Sequence, residues 1–166
     1  MSVKKPRLCG YDYSSNGFYF ITIVTHYRQP LLVGVNREGV ARFIGQLNKT
    51  PGVSVDYFTI MDDHVHMILI LNECRLMLGE VVRRFKARTA HELKAPLWQP
   101  NYYEHVIRNE QALLRIREYI QNNPQAEKIK WEEIYGGLPD KSGDYNALPD
   151  KSGDYSALLI NRVRSF

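Results

Sequence analysis

Residues 65–71, Val-His-Met-Ile-Leu-Ile-Leu, are apolar at every position but one. A run this short, β-branched or long-chained throughout, reads as a buried strand that the rest of the chain must flank. Its head is polar. His64 and His66 stand two apart, and side chains at i and i+2 of a strand project to one face. Both imidazoles are therefore aimed at one point on the border of an apolar surface. Neutral imidazole is a common ligand for borderline divalent metals. The pair reads either as part of a metal site or as two satisfied polar residues near a strand end. With five histidines in the chain, the spacing alone does not choose.

The flanking elements can be read on either side of it. Residues 17–24 are aromatic and β-branched and form a first strand. Residues 36–49 carry Val40, Phe43, Ile44 and Leu47 at helical spacing. Pro51-Gly52 breaks that helix, and residues 53–61 form a second strand. Asp62-Asp63 turns the chain tightly into the third strand, 64–71, antiparallel to the second. A second helix over 76–93 turns Leu78, Val81, Val82, Phe85 and Thr89 inward and its arginines outward. A short fourth strand falls within 98–107, and Asn109 caps a last helix that ends near Asn123, before Pro124. The order β-α-β-β-α-β-α predicts an α+β fold: a ferredoxin-like, split βαβ antiparallel sheet with helices packed on it. A small mixed sheet with another strand order is the runner-up. In the ferredoxin-like arrangement strands one and three are central, so His64 and His66 would sit on a rigid mount.

Length and composition fit one globular domain. The 166 residues are 44% hydrophobic and 24% charged, which is ordinary for a soluble domain. The division expected is a core over 1–135 and an acidic tail over 136–166. No apolar run spans a membrane and no secretory leader is apparent. Cys9 and Cys74 are too few for a disulfide framework and suit a reducing cytoplasm. Charge is uneven. Residues 75–108 hold seven Lys/Arg against three acids, while residues 132–157 hold six acids against Lys141 and Lys151. A basic middle suggests a polyanion partner, or simply a solvated helix face. The tail repeats itself once, residues 138–147 against 148–157. Two copies of a polar, Pro- and Gly-bearing decapeptide are too few for a solenoid.

Chemistry gathers at the last helix. Tyr119 and Asn123 are spaced i, i+4 beside the apolar stripe of Leu113, Ile116 and Ile120. An amide oxygen can complete a metal site begun by two imidazoles, and a tyrosine one turn away would lie beside whatever the metal binds. Otherwise Tyr119 is a core-edge tyrosine and Asn123 a helix-end residue. Arg83, Arg84, Lys86 and Arg88 share a broad outward face of the second helix, suited to phosphates. Trp98, Tyr102 and Tyr103 are aromatics that can stack unpaired bases or pack in the core.

These segments together resemble a known family. Gly10-Tyr-Asp-Tyr, residues 17–25, the His-x-His strand, residues 78–89, residues 97–110 and Tyr119-Ile-Gln-Asn-Asn-Pro look like the REP-associated tyrosine transposases, part of the single-tyrosine HUH superfamily. The likeness covers residues 8–131 and keeps motif order and spacing. It implies a cytoplasmic, nucleoid-associated enzyme that nicks and joins single-stranded DNA near a palindromic hairpin through a 5′-phosphotyrosine. By the same resemblance Tyr119 is the nucleophile and His64, His66 and Asn123 hold Mg²⁺ or Mn²⁺. Arg83, Arg84, Lys86, Arg88, Arg108 and Tyr103 are the candidate DNA contacts, and the protein works as a monomer or homodimer. One departure is visible: the family commonly has Pro-Asn before the histidines, where this chain has Asp62-Asp63. An extra carboxylate there can alter metal affinity or repel a phosphate, which leaves room for a domesticated hairpin-binding protein that does not cut. An RNA-recognition sheet is a third reading, but its aromatic glycine motif is missing from the sequence.

Overall fold

A computed structural model describes residues 16–122. Four antiparallel strands form one sheet: β1 (Gly17–Val24), β2 (Val53–Ile60), β3 (His64–Leu71) and β4 (Tyr103–Ile107), in the order β2-β3-β1-β4. Helices α1 (Gly34–Leu47), α2 (Leu78–Glu92) and α3 (Glu110–Asn122) complete it. The split βαβ order places β3 and β1 centrally, as the apolar run of β3 requires, and all eight β3 residues are buried. Each sheet-facing helix adds an apolar stripe, and α3 is capped by the preceding Asn109, whose side-chain oxygen accepts the backbone N–H of Ala112 at 2.7 Å.

Strand alternation sorts the core into two layers. Odd residues of β1 and β3 (Tyr19, Ile21, Ile23; Val65, Met67, Leu69) pack with Val40 and Ile44 of α1 and with Val81, Val82 and Phe85 of α2. Even residues (Phe18, Phe20; Ile68, Ile70) pack instead with Ala112, Leu113, Ile116 and Ile120 of α3. The sheet thus has an α1–α2 face and an α3 face. Gly52, after α1, takes φ +78°, and a Cβ there would lie 2.6 Å from Cys74 Cα. Only glycine fits that approach.

One irregularity bears on α3. The β2–β3 register slips between Val55 and Tyr57, so Asp56 is an extra, bulged residue. The slip leaves Val55 against the α1–α2 layer and turns Tyr57 to the α3 layer. Asp56 meets Arg117 of α3 in a two-pronged pair, with Nε donating to Oδ2 at 2.8 Å and Nη2 to Oδ1 at 2.5 Å. Both side chains are largely buried, at 10% and 19% exposure.

Candidate functional site

His64 and His66 are the even residues at the head of β3, so both face α3, and each is 2% exposed. Cross-strand register sets their neighbours. His66 lies opposite Thr22 of β1 and Thr59 of β2, and Thr22 lies opposite Tyr103 of β4. The four residues form one row across the α3 face. Nδ1 of His66 is hydrogen-bonded to Thr22 Oγ1 at 2.8 Å, and the ring lies 5.4 Å from that of Phe20. Nδ1–H of His64 donates to Asp63 Oδ1 at 2.6 Å. The two imidazoles are 4.6 Å apart, near edge-on.

This arrangement fixes what the rings can do. A carboxylate only accepts, so Asp63 holds the His64 proton on Nδ1 and leaves the Nε2 lone pair for a ligand. Nε2 of His64 is buried and has no hydrogen-bond partner among the described residues. A buried, oriented and unsatisfied imidazole nitrogen fits a metal ion, and a carboxylate on the far ring nitrogen is the usual support of a metal-binding histidine. No group of three or more His, Cys, Asp or Glu among the described residues is arranged to hold a metal ion by itself. A third ligand must therefore be of another type or lie elsewhere. Asn123 lies just outside the described residues.

The Asp62-Asp63 turn is a two-residue hairpin loop, closed by Met61 N–H to His64 O at 2.8 Å. Its charges are engaged. Arg37 pairs with the Asp62 carboxylate at 2.5 Å, and Asp63 serves His64. Thr25 N–H and Leu32 N–H donate to the carbonyls of Asp63 and Asp62, each at 2.8 Å. Neither Asp63, Thr22 nor Arg37 was among the sequence candidates. Asp63 adjoins a histidine and so had a local signal, whereas Thr22 depends on register across 44 residues.

The structure brings some candidates to this face and not others. Tyr119, partly buried, packs on the α3 layer that includes Phe20, the ring beside His66. Tyr103, 38% exposed, ends the histidine row. Arg108 follows Ile107, which pairs with Phe18 at the opposite end of β1 from Val24 and its partner His64. Six residues separate those ends, roughly 20 Å along the strand. The cations of α2 lie on the other face. Glu80 accepts Arg83 Nε and Nη2 at 2.7 and 2.8 Å and Arg84 Nε at 2.6 Å. Those guanidinium bonds hold the Glu80 carboxyl at about 2 and raise Arg83 further. Lys86 is turned inward, donating to the carbonyls of Gln99 and Asn101 at 2.7 and 2.9 Å, and burial pushes its ammonium pKa down. Arg88 lies 5.9 Å from the Phe43 ring centre. Trp98 packs on the α1–α2 core and donates Nε1–H to Thr89 Oγ1 at 2.7 Å. A hollow of about 320 Å³ opens between α1 and α2, but its walls hold no imidazole, thiol or carboxylate.

Comparison with known proteins follows the same lines. The family described as "Transposase IS200 like" matches residues 13–123. An uncharacterized protein of Haemophilus influenzae is 35% identical over 163 residues, covering 76% of this chain and 88% of its own. A REP-associated tyrosine transposase of Escherichia coli is 24% identical over 113 residues, 68% of each chain. The solved structure of a REP-associated tyrosine transposase bound to a REP hairpin superposes with a TM-score of 0.62 at 25% identity, covering 75% of this chain and 73% of that one.

Proposed function

The chain belongs to the IS200-like transposase family, and from that premise we propose that it nicks and rejoins single-stranded DNA beside a hairpin through a covalent 5′-phosphotyrosine on Tyr119. His64, His66 and Asn123 would hold a divalent ion, Mg²⁺ or Mn²⁺. The observation that carries the reading is the imidazole pair: buried, held at both Nδ1 atoms, and with His64 Nε2 unsatisfied among the described residues. A polar pair kept only for packing would have its nitrogens matched within the fold. Hairpin DNA as the substrate is supported by the relative whose structure holds a REP hairpin.

When bound, the ion supplies Lewis-acid withdrawal of charge at the scissile phosphate. The remaining work falls to the chain. Asp63 and Thr22 fix the two rings, so no reorientation is needed when substrate arrives. The Tyr119 oxygen bonds to phosphorus as the bond to the 3′-oxygen breaks; the phenolic proton is lost, and the departing oxygen becomes a 3′-hydroxyl. The new ester keeps the bond energy, so a 3′-hydroxyl can attack it and rejoin strands without ATP. Tyr103, at the end of the histidine row, would meet the strand being cut. Arg83, Arg84 and Arg88, on the far face, serve as contacts to parts of the hairpin away from the cut. Arg108 completes the proposed phosphate set, whereas Lys86 is committed to the carbonyls of Gln99 and Asn101.

A labelled hairpin oligonucleotide with single-stranded flanks, incubated with the protein and Mn²⁺ and run on a denaturing gel, tests this directly. The expected result is a covalent protein–DNA adduct that disappears in Tyr119→Phe, with folding unchanged. Tight hairpin binding without adduct or cleavage in either Mg²⁺ or Mn²⁺ would identify a binding protein instead.

A further inference from the structure

Directly after β1 the chain makes a single 3₁₀ turn, His26–Arg28. Two successive non-glycine residues in it, Tyr27 (φ 49°) and Arg28 (φ 55°), lie in the left-handed region. L side chains adopt that region rarely, because Cβ crowds the carbonyl, and such positions concentrate at binding sites. The turn is pinned on both sides. Thr25 N–H donates to Asp63 O, His26 N–H to Leu97 O at 2.9 Å, and Arg28 N–H back to Thr25 O at 3.1 Å. Asp63 is the residue that orients His64. The strained turn is thus tied directly to the support of the histidine site.

Nothing in the core accounts for what the turn presents. Tyr27 is 81% exposed, its ring tilted against that of His26 with 4.2 Å between centres. A buried tyrosine would explain a strained backbone by packing; an exposed one does not. We propose that Tyr27 is a stacking platform for an unpaired base of the DNA strand that enters the histidine site. This rests on the proposed function. A base fits for two reasons. An exposed aromatic face is what single-strand binders offer, because every base has a π-face. Arg28 follows at once, and a cation beside an aromatic suits a phosphate beside a base.

The test is binding of a fluorescent DNA hairpin with a single-stranded flank, against the same hairpin without the flank and against flanks carrying one abasic site at successive positions. Tyr27→Ala, at an exposed position, keeps the melting temperature. It is expected to bind the flanked hairpin about 10-fold or more weakly and the blunt hairpin as before, while Tyr27→Phe stays near the parent. One abasic position should reproduce the loss in the parent protein and add nothing in Tyr27→Ala, the coupling expected of a direct contact. Equal binding of the flanked hairpin by parent and Tyr27→Ala overturns the platform, as does an abasic effect that adds fully to the substitution. If the parent forms the Tyr119 adduct in those cases, the proposed function stands and only the platform falls. If the parent binds neither hairpin, both fall.

Discussion

The two faces of the sheet are built on different terms. Among the described residues, the α1–α2 face buries nineteen in one apolar cluster and the α3 face nine. The larger layer carries a basic helix whose cations are largely satisfied by Glu80, by backbone carbonyls and by Phe43. The smaller layer carries the histidine row, Tyr119, and an ion pair that fastens the helix to the sheet through a bulge. Nine buried residues serve one helix and nineteen serve two, so what sets the α3 face apart is the directional bond added to its apolar contacts. In the proposed function α3 would present the nucleophile, which calls for a set orientation more than for burial, and Asp56–Arg117 fastens the helix in one.

The comparison breaks most easily at that pair. Arg117→Ala leaves the Asp56 carboxylate largely buried without its partner, a loss expected at about 3–5 kcal/mol. Amide hydrogen exchange should show α3 losing protection before α1 and α2, with adduct formation falling more than hairpin affinity. Equal loss of protection on both faces would mean that the sheet is one cooperative unit and that the clamp has no special role. A charge-exchanged Asp56→Arg, Arg117→Asp variant should recover part of the loss.

Next in size is the support of His64. Asp63→Ala should weaken Mn²⁺ binding about 10- to 100-fold, read by metal titration, without a matching fall in melting temperature. Asp63→Asn, which can still accept from Nδ1–H, should fall in between. If Mn²⁺ affinity does not move, the carboxylate is only a turn residue.

The smallest effect belongs to the α1–α2 face. Glu80 titrates at about 2 against an ordinary 4.5. A depressed carboxyl stabilises the fold above its ordinary pKa and loses that contribution as pH falls through the folded value. Glu80 is partly exposed and its partners Arg83 and Arg84 are exposed, so the effect is slight and screened by salt. Glu80→Gln should flatten the melting-temperature profile between about pH 4.5 and 2 at low salt, and salt should erase the difference from the parent. It also frees Arg83 and Arg84. A resulting gain in hairpin affinity would show that the far face does meet DNA.

Much of this was legible along the chain. Apolar periodicity marked the strands and helices to within a few residues, and their order gave the sheet topology. His64 and His66 declared themselves by a two-residue spacing that survives any placement of the strand. The inward turn of Lys86 was hidden, because its partners are carbonyls in the loop before β4. Asp62-Asp63 departs from the family's usual pair, and only register and loop contacts reveal what its carboxylates meet: Arg37 takes one and His64 the other.

The sequence by itself determined the elements, their order and the identities of the chemical groups, because these depend on spacing within a dozen residues. Tertiary structure alone decided which groups share a face. It put the histidines with α3 rather than with the basic helix, set Thr22 against His66, and fastened α3 through a bulge at Asp56. Side-chain facing alternates with every residue, so a single inserted position in a strand reverses it, and no local pattern records where that insertion falls.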